Sequence, residues 1–327
     1  MDFNNILSAG LSLSGMGLLF GAGLAYASKK FEVKQDPKVV AVDNVLPQAN
    51  CGGCGYPGCM QFAKAVVNGE AEPNGCPVGG QEVAENVAEA LGLEVDETEP
   101  EVARVLCKGG NDTAVTKFEY DGLESCISSN MLEQGPKACT YGCLGNGSCV
   151  EVCQFDAIYI TDQGIAEVDE EKCTACGKCI EICPKDIIEL VSETQHVVVD
   201  CINEQKGGFV KANCDDACIA CGICERSCPF DAIHVEDNVA KIDYEKCTQC
   251  MICFDKCPTD AISANEDLKK KAKIIEDKCI GCTLCKQKCP VDAIDGEVKN
   301  VHKVNQDDCI GCSECVEVCP KDAIIME

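Results

Sequence analysis

The feature that most constrains this chain is a cysteine block, C-x-x-C-x-x-C-x-x-x-C-P, followed by Asp-Ala-Ile or a near variant. Complete copies begin at Cys173, Cys218, Cys247, Cys279 and Cys309. The tripeptide recurs as Asp156-Ala-Ile158, Asp186-Ile-Ile188, Asp231-Ala-Ile233, Asp260-Ala-Ile262, Asp292-Ala-Ile294 and Asp322-Ala-Ile324. Cysteines three apart on a loop converge on one centre and are poorly placed to bridge each other in pairs. The 32 cysteines of these 327 residues therefore read as metal ligands rather than as a disulfide scaffold. They must stay reduced, which points to a compartment such as the cytosol. The chain has no tryptophan and only 5% aromatic residues. Units of about 50–60 residues this poor in large side chains bury too little apolar surface to fold comfortably alone, so folding and metal loading are expected to be coupled.

The block is the signature of bacterial two-cluster ferredoxins, in which the fourth cysteine of each copy ligates the other cluster of the unit. Paired copies then give explicit ligand sets. Cys218, Cys221, Cys224 and Cys257 hold one [4Fe–4S] cluster; Cys228, Cys247, Cys250 and Cys253 hold its partner. In the next unit the sets are Cys279, Cys282, Cys285 and Cys319, then Cys289, Cys309, Cys312 and Cys315. Proline after the fourth cysteine stops helical continuation and turns the chain into the strand bearing Asp-Ala-Ile. The isoleucines read as packing around clusters.

The unit from Cys139 to Cys183 departs from this pattern. Cys153, Cys173, Cys176 and Cys179 form a regular set, but its partner has Asn146 at the middle cysteine position and Gln154 at the proline position. Cys139, four before Cys143, is expected to substitute, giving Cys139, Cys143, Cys149 and Cys183. That leaves Cys107, Cys126, Cys201 and Cys214. They read either as a further cluster, bringing seven to eight, or as isolated buried thiols; another ligand exchange with Cys139 stays open. Val105-Leu-Cys107-Lys-Gly-Gly is loosely echoed by Val199-Asp-Cys201 and Gly207-Gly208, and Cys214 sits four before Cys218 as Cys139 does before Cys143.

Nearer the N-terminus, Cys51, Cys54, Cys59 and Cys76 form a separate group rich in glycine, which lets the backbone wrap a cluster closely. A zinc site uses the same ligand set. Phe62, Ala65 and Val66 predict a short helix over 60–68, and the mostly polar 31–50 reads as a linker. From Ile6 to Ala27 the only ionisable residue is Tyr26, and Lys29 and Lys30 follow. This stretch is long enough to span a bilayer. Gly17-x-x-x-Gly21 suits packing against other membrane helices, and the lysines put the rest of the chain in the cytoplasm. A signal peptide ending at Ala25-Tyr-Ala27 is the rival, disfavoured by an N-terminus carrying Asp2 and no Lys or Arg before the span. The net charge of −27 excludes nucleic-acid binding through the overall field.

Together, the N-terminal span, the group with Gly55-Tyr-Pro-Gly58 and Cys76-Pro-Val-Gly-Gly80, Lys137-Ala-Cys139-Thr-Tyr-Gly-Cys143-Leu-Gly145 and the tandem motifs resemble the B component of the Rnf electron-transport complex, in its cysteine-rich anaerobic form. The resemblance implies a membrane complex that oxidises reduced ferredoxin and reduces NAD while exporting sodium ions or protons. Within it this chain would be a single-pass relay in the bacterial inner membrane, with other Rnf subunits as partners. No dinucleotide fingerprint or flavin-attachment motif stands out, so no direct NAD or flavin binding is expected. His196, His234 and His302 read as ordinary loop or strand residues. The expected fold is α+β: an anchor (1–28), a small [4Fe–4S] domain (29–100), a connecting segment (101–135), and three tandem two-cluster ferredoxin-like units (136–192, 193–265 and 266–327). Lys269, Lys270, Lys271, Lys273, Lys278, Lys286 and Lys288 concentrate positive charge on the last unit. They read either as a ferredoxin-docking patch or as a solvated linker. Two other readings are a polyferredoxin serving a hydrogenase or another oxidoreductase, and a zinc-binding interaction protein.

Overall fold

The computed structural model describes residues 3–31 and 36–327. Parts of the expected anchor (1–2) and linker (32–35) lie outside the described residues. A helix runs Phe3–Lys30. Its Gly10–Lys30 portion, 21 residues with a mean hydropathy of 1.3, has none of its apolar window buried. At 1.5 Å per residue that portion is about 32 Å long, sufficient by length and composition to cross a hydrocarbon core of about 30 Å.

The next segment corrects the linker expected over 31–50. Helix Pro37–Val45 starts there because Asp36 accepts a hydrogen bond from the Lys38 amide and Pro37 occupies the first turn, where its missing N–H costs nothing. Val39, Val42 and Leu46 are buried against Phe62, Ala63 and Val66 of helix Cys59–Asn68 and Val87 of helix Gly80–Leu91. The polar residues of 31–50 disguised an apolar stripe of only three positions. The short helix expected over 60–68 forms one residue earlier, at Cys59.

The remainder is built from two-stranded antiparallel ribbons, and one pattern appears three times. In each, an outer ribbon joins a strand ahead of the cysteine blocks to one after them, and an inner ribbon lies between. Glu101–Val105 pairs with Ile188–Ser192, and Ile158–Ile160 with Ala166–Val168. Val197–Val199 pairs with Ile262–Ala264, and Ile233–Glu236 with Val239–Ile242. Ala272–Ile274 pairs with Ile324–Met326, and Ile294–Asp295 with Lys303–Val304. The expected connecting segment 101–135 is therefore corrected at its start, where 101–105 is a sheet strand. The alternation of Val102, Arg104 and their neighbours was too short to stand out against the cysteine motifs.

The Asp-Ala-Ile tripeptide has a local explanation. All six aspartates adopt left-handed backbone, with φ between 46° and 52°, a conformation Asp tolerates better than most residues. That turn brings the next residue's amide back over the fourth cysteine of the block. Ala157 donates to Cys153 Sγ at 3.4 Å, Ala232 to Cys228 at 3.4 Å, Ala293 to Cys289 at 3.3 Å and Ala323 to Cys319 at 3.3 Å. The isoleucines then begin strands and are buried among cysteines and aliphatic residues, as expected.

Phe62, 1% exposed, is the largest side chain in the N-terminal core. Phe62→Ala is expected to destabilise that domain by about 3–5 kcal/mol. Limited proteolysis should then cut within 36–91 while the ribbons downstream stay protected.

Candidate iron–sulfur sites

Each block wraps its cysteines with the same backbone device. The residues on both sides of the middle cysteine have positive φ: Ala175 and Gly177, Ala220 and Gly222, Gln249 and Met251, Gly281 and Thr283, Gly311 and Ser313. For a non-glycine residue this conformation costs about 1–2 kcal/mol. Thr283, branched at Cβ, is the most strained of them. Strain of this kind persists where something else fixes the loop, and a cluster drawing three sulfurs to one side does so.

The cysteines ring cavities. Cys228, Cys247, Cys250 and Cys253 line one, Cys289, Cys309, Cys312 and Cys315 a second, and Cys279, Cys282, Cys285 and Cys319 a third, each of about 20 Å³. These are three of the four-cysteine groups read from the repeat. Among the described residues, no three His, Cys, Asp or Glu side chains close on a point small enough for a single metal ion. A set of four thiols spread around a larger apolar space fits a [4Fe–4S] cluster better than a zinc ion.

Burial raises the thiols, and crowding within each group raises them further. Cys253 and Cys315 are pushed up to about 12, first by burial and then by Cys250 and Cys247, and by Cys312 and Cys309, respectively. Cys224 rises to about 11 through burial, with Cys218, Cys221 and Cys257 adding to it. Cys179 rises to about 11 through burial, Cys173 and Cys176. Cys76 is raised by burial and by Cys54, Cys59 and Cys51. Binding iron at such sites must expel protons, so loading and pH are linked.

Two cysteines stand elsewhere than the spacing led one to expect. Cys126, not Cys139, is grouped with Cys143, Cys149 and Cys183: burial takes Cys149 up to about 12, with Cys143, Cys126 and Cys183 adding to it. The loop around Asn146 keeps the usual device, Gly145 and Gly147 both at φ 74°. Helix Cys126–Met131 docks on that loop. The Cys126 amide donates to Ser148 Oγ at 2.9 Å, and Ser129, fully buried, donates to Asn146 Oδ1 at 3.1 Å. A thiol from a separate helix is thus the further cysteine beside this loop. Cys139 faces the other way, into a cavity with Cys107, Cys201 and Cys214.

Backbone amides also reach the first cysteine of several blocks. Ala103 donates to Cys173, Ala166 to Cys143 and Ala240 to Cys218, each at 3.4 Å. The strand Glu101–Val105 is thereby tied directly to a ligand group. Hydrogen bonds to cluster sulfur tune reduction potential. His302 was read as an ordinary residue, yet it is 1% exposed, lines the Cys279 cavity and has no partner for Nε2 among the described residues. Nothing in its sequence surroundings signals this, because the ring comes from a loop between blocks.

The groups are also neighbours of one another. At Gly53 a side chain would meet the Cys176 carbonyl oxygen at 2.8 Å, so the N-terminal group lies against the Cys173 block. The charge on Cys224 is felt at Cys253, that on Cys250 at Cys312, and that on Cys285 at Cys315.

Comparison with known proteins finds iron–sulfur families over these regions. Residues 46–78 match the "Putative Fe-S cluster" family model. The 4Fe-4S dicluster domain models match 137–187 and 246–293, 217–262, and 272–326. The chain is 50% identical over 234 residues to the B component of the Na(+)-translocating ferredoxin:NAD(+) oxidoreductase complex of Acetobacterium woodii, covering 72% of this chain and 70% of that one. The chain belongs to the family of Rnf complex B components. Two further relatives are 44% identical. They are the B components of the ion-translocating oxidoreductase complex of Methanosarcina acetivorans (72% of this chain, 89% of that one) and of the proton-translocating ferredoxin:NAD(+) oxidoreductase complex of Clostridium ljungdahlii (73% and 85%).

Because the Asn146 loop already has the ligand backbone, Cys126→Ala is expected to remove about four iron atoms. Asn146→Cys in that background should restore them. Iron and sulfide analysis of anaerobically prepared protein checks both; full iron in Cys126→Ala would reject the grouping.

Proposed function

We propose that this chain is the electron-relay subunit of a membrane-bound, ion-translocating ferredoxin:NAD oxidoreductase. It takes electrons from reduced ferredoxin and passes them through [4Fe–4S] clusters to partner subunits. The observation that carries the reading is the succession of four-cysteine groups, several of them in contact with a neighbouring group, in a chain belonging to this Rnf family. The protein fixes the spacing and potential of such centres, while the clusters supply the redox chemistry.

The proposed ligand sets are Cys51, Cys54, Cys59 and Cys76; Cys126, Cys143, Cys149 and Cys183; Cys153, Cys173, Cys176 and Cys179; and the four sets of the last two units as read from the repeat. The chain divides into three tandem two-cluster units, the first beginning at Glu101. Strand pairing supports this division: the dicluster match at 246–293 straddles two outer ribbons, as a periodic motif allows, whereas each ribbon closes around one pair of blocks. The helix Phe3–Lys30 anchors the chain in the membrane, and Lys29 and Lys30 after it favour a cytoplasmic position for the cysteine-rich part. NAD chemistry and ion transport fall to other subunits.

For ferredoxin docking, the lysines of the last unit differ in what already holds them. Lys273 pairs with Glu327 at 2.8 Å, Lys288 with Glu314 at 3.2 Å and Lys286 with Asp295 at 3.6 Å, while Lys271 donates to the Gln306 carbonyl. Lys270 and Lys278 are exposed and Lys269 half-buried, so these three carry the docking reading. In a chain of net charge −27, a local basic patch is what an acidic donor needs to approach productively.

Detergent-solubilised protein should be brown, bleach on reduction and co-purify with its partner subunits; a colourless preparation would reject the relay. Reversing Lys269, Lys270 and Lys278 to Glu is expected to slow reduction by ferredoxin roughly tenfold at low salt and to flatten its salt dependence. Unchanged kinetics would remove the docking site while leaving the relay intact.

A further inference from the structure

We infer that Cys107, Cys139, Cys201 and Cys214 hold an eighth [4Fe–4S] cluster, shared between the first two ferredoxin-like units and locking them together. The inference deepens the relay reading and rests on it. These four cysteines line a cavity of about 20 Å³, the same as each of the three lined by complete repeat sets. The known motifs thus act as an internal measure for a site that no motif describes.

The four residues occupy equivalent positions in two units. Cys107 lies two residues beyond the strand ending at Val105, and Cys201 two beyond the strand ending at Val199. Cys139 lies four before Cys143, the first cysteine of its block, and Cys214 four before Cys218. Each unit therefore contributes two cysteines, one from each of the same two places, and the halves meet face to face. Cys107 and Cys201 are paired directly in an antiparallel bridge, and Ala114 is bridged to Cys214. The third unit has no room for such a contribution, since only four residues separate the strand ending at Ile274 from Cys279.

The surroundings suit a thiolate-bound cluster. Burial pushes Cys107 up to about 11, opposed by the Cys143 amide and by the charge of Lys137; Cys201 and Cys214 also rise to about 11, burial again being the largest cause. Lys137, only 5% exposed, lines the cavity and donates from Nζ to the Gly109 carbonyl at 2.7 Å. A buried ammonium held by a neutral carbonyl is costly; a net-negative cluster beside it would offset that cost. Asn203, 2% exposed, donates from Nδ2 to Cys139 Sγ at 3.3 Å. Gly109 leaves the space open, for a Cβ there would stand 3.1 Å from Cys214 Sγ and 3.8 Å from Cys107 Sγ.

The same sulfurs touch the flanking sites. The Cys143 amide donates to Cys107 Sγ at 3.3 Å, and the Cys218 amide bonds to Cys201 in the equivalent way. The shared site lies between the Cys143 group and the Cys218 group and closes the gap in the succession of sites.

The native full chain, isolated anaerobically in detergent, needs no variant for the first test. Eight clusters give about 32 iron and 32 sulfide per chain, seven give about 28. Cys107→Ala with Cys201→Ala should lose about four iron and leave the electron paramagnetic resonance signals of the other clusters in place. Protease should then cut between the first two units. About 28 iron in the native chain, or an unchanged iron content in the double variant, would overturn the eighth cluster and leave the relay standing. Far less iron across the whole chain would instead overturn the relay. If the double variant fails to fold, Gly109→Val, which intrudes on this cavity alone, should cost the same four iron, and a full complement in it would also overturn the site.

Discussion

The constraint on which the rest depends is the demand of cysteine sulfur for company. The buried cores of the three ferredoxin-like regions consist of aliphatic side chains interleaved with the cysteines themselves: Ile233, Val239 and Ile262 with Cys218 and Cys224; Ile158 and Ile188 with Cys143 and Cys149; Ile294 and Ile324 with Cys285 and Cys315. Among the described residues, these regions have no large apolar centre apart from the sulfur groups. Strands of two to five residues, paired only in twos, are marginal in water by themselves. Folding energy and ligand geometry are therefore one quantity here, and the positive-φ residues flanking the middle cysteines record the same coupling in the backbone.

Much of this was legible because the repeat fixes spacing. For the blocks from Cys218 onward the order of cysteines alone gives the ligand sets proposed above, and Asp-Ala-Ile marks where each strand begins. What escaped was whatever had to be supplied across long separations. Strand Glu101–Val105 finds its partner about 85 residues later, with no local signal beyond a short alternation. Helix Pro37–Val45 buries a stripe too narrow to show against its polar neighbours.

Cys126 and Cys139 exchange places for a reason rooted in the repeat. The equal offset of Cys139 and Cys214 from the first cysteines of their blocks was visible, and so was the echo between Cys107 and Cys201. Proximity in sequence made Cys139 look like the substitute for the missing middle cysteine. Symmetry between repeats argued for placing it with Cys214. Cys126 has no counterpart in the second unit, which is what a residue recruited to repair one defective copy should look like. The proposed sets follow equivalent positions in the repeat rather than nearest neighbours.

The face-to-face bridge between Cys107 and Cys201 also has a bearing on how the protein is made. A ribosome emits Cys107 long before Cys214, so half of the shared cavity is complete while the other half does not yet exist. The proposed Cys126 and Cys173 groups draw only on cysteines of the first unit. The shared cavity can close only after the second unit has emerged and docked. Its closure thus requires two neighbouring units to be both present and in register.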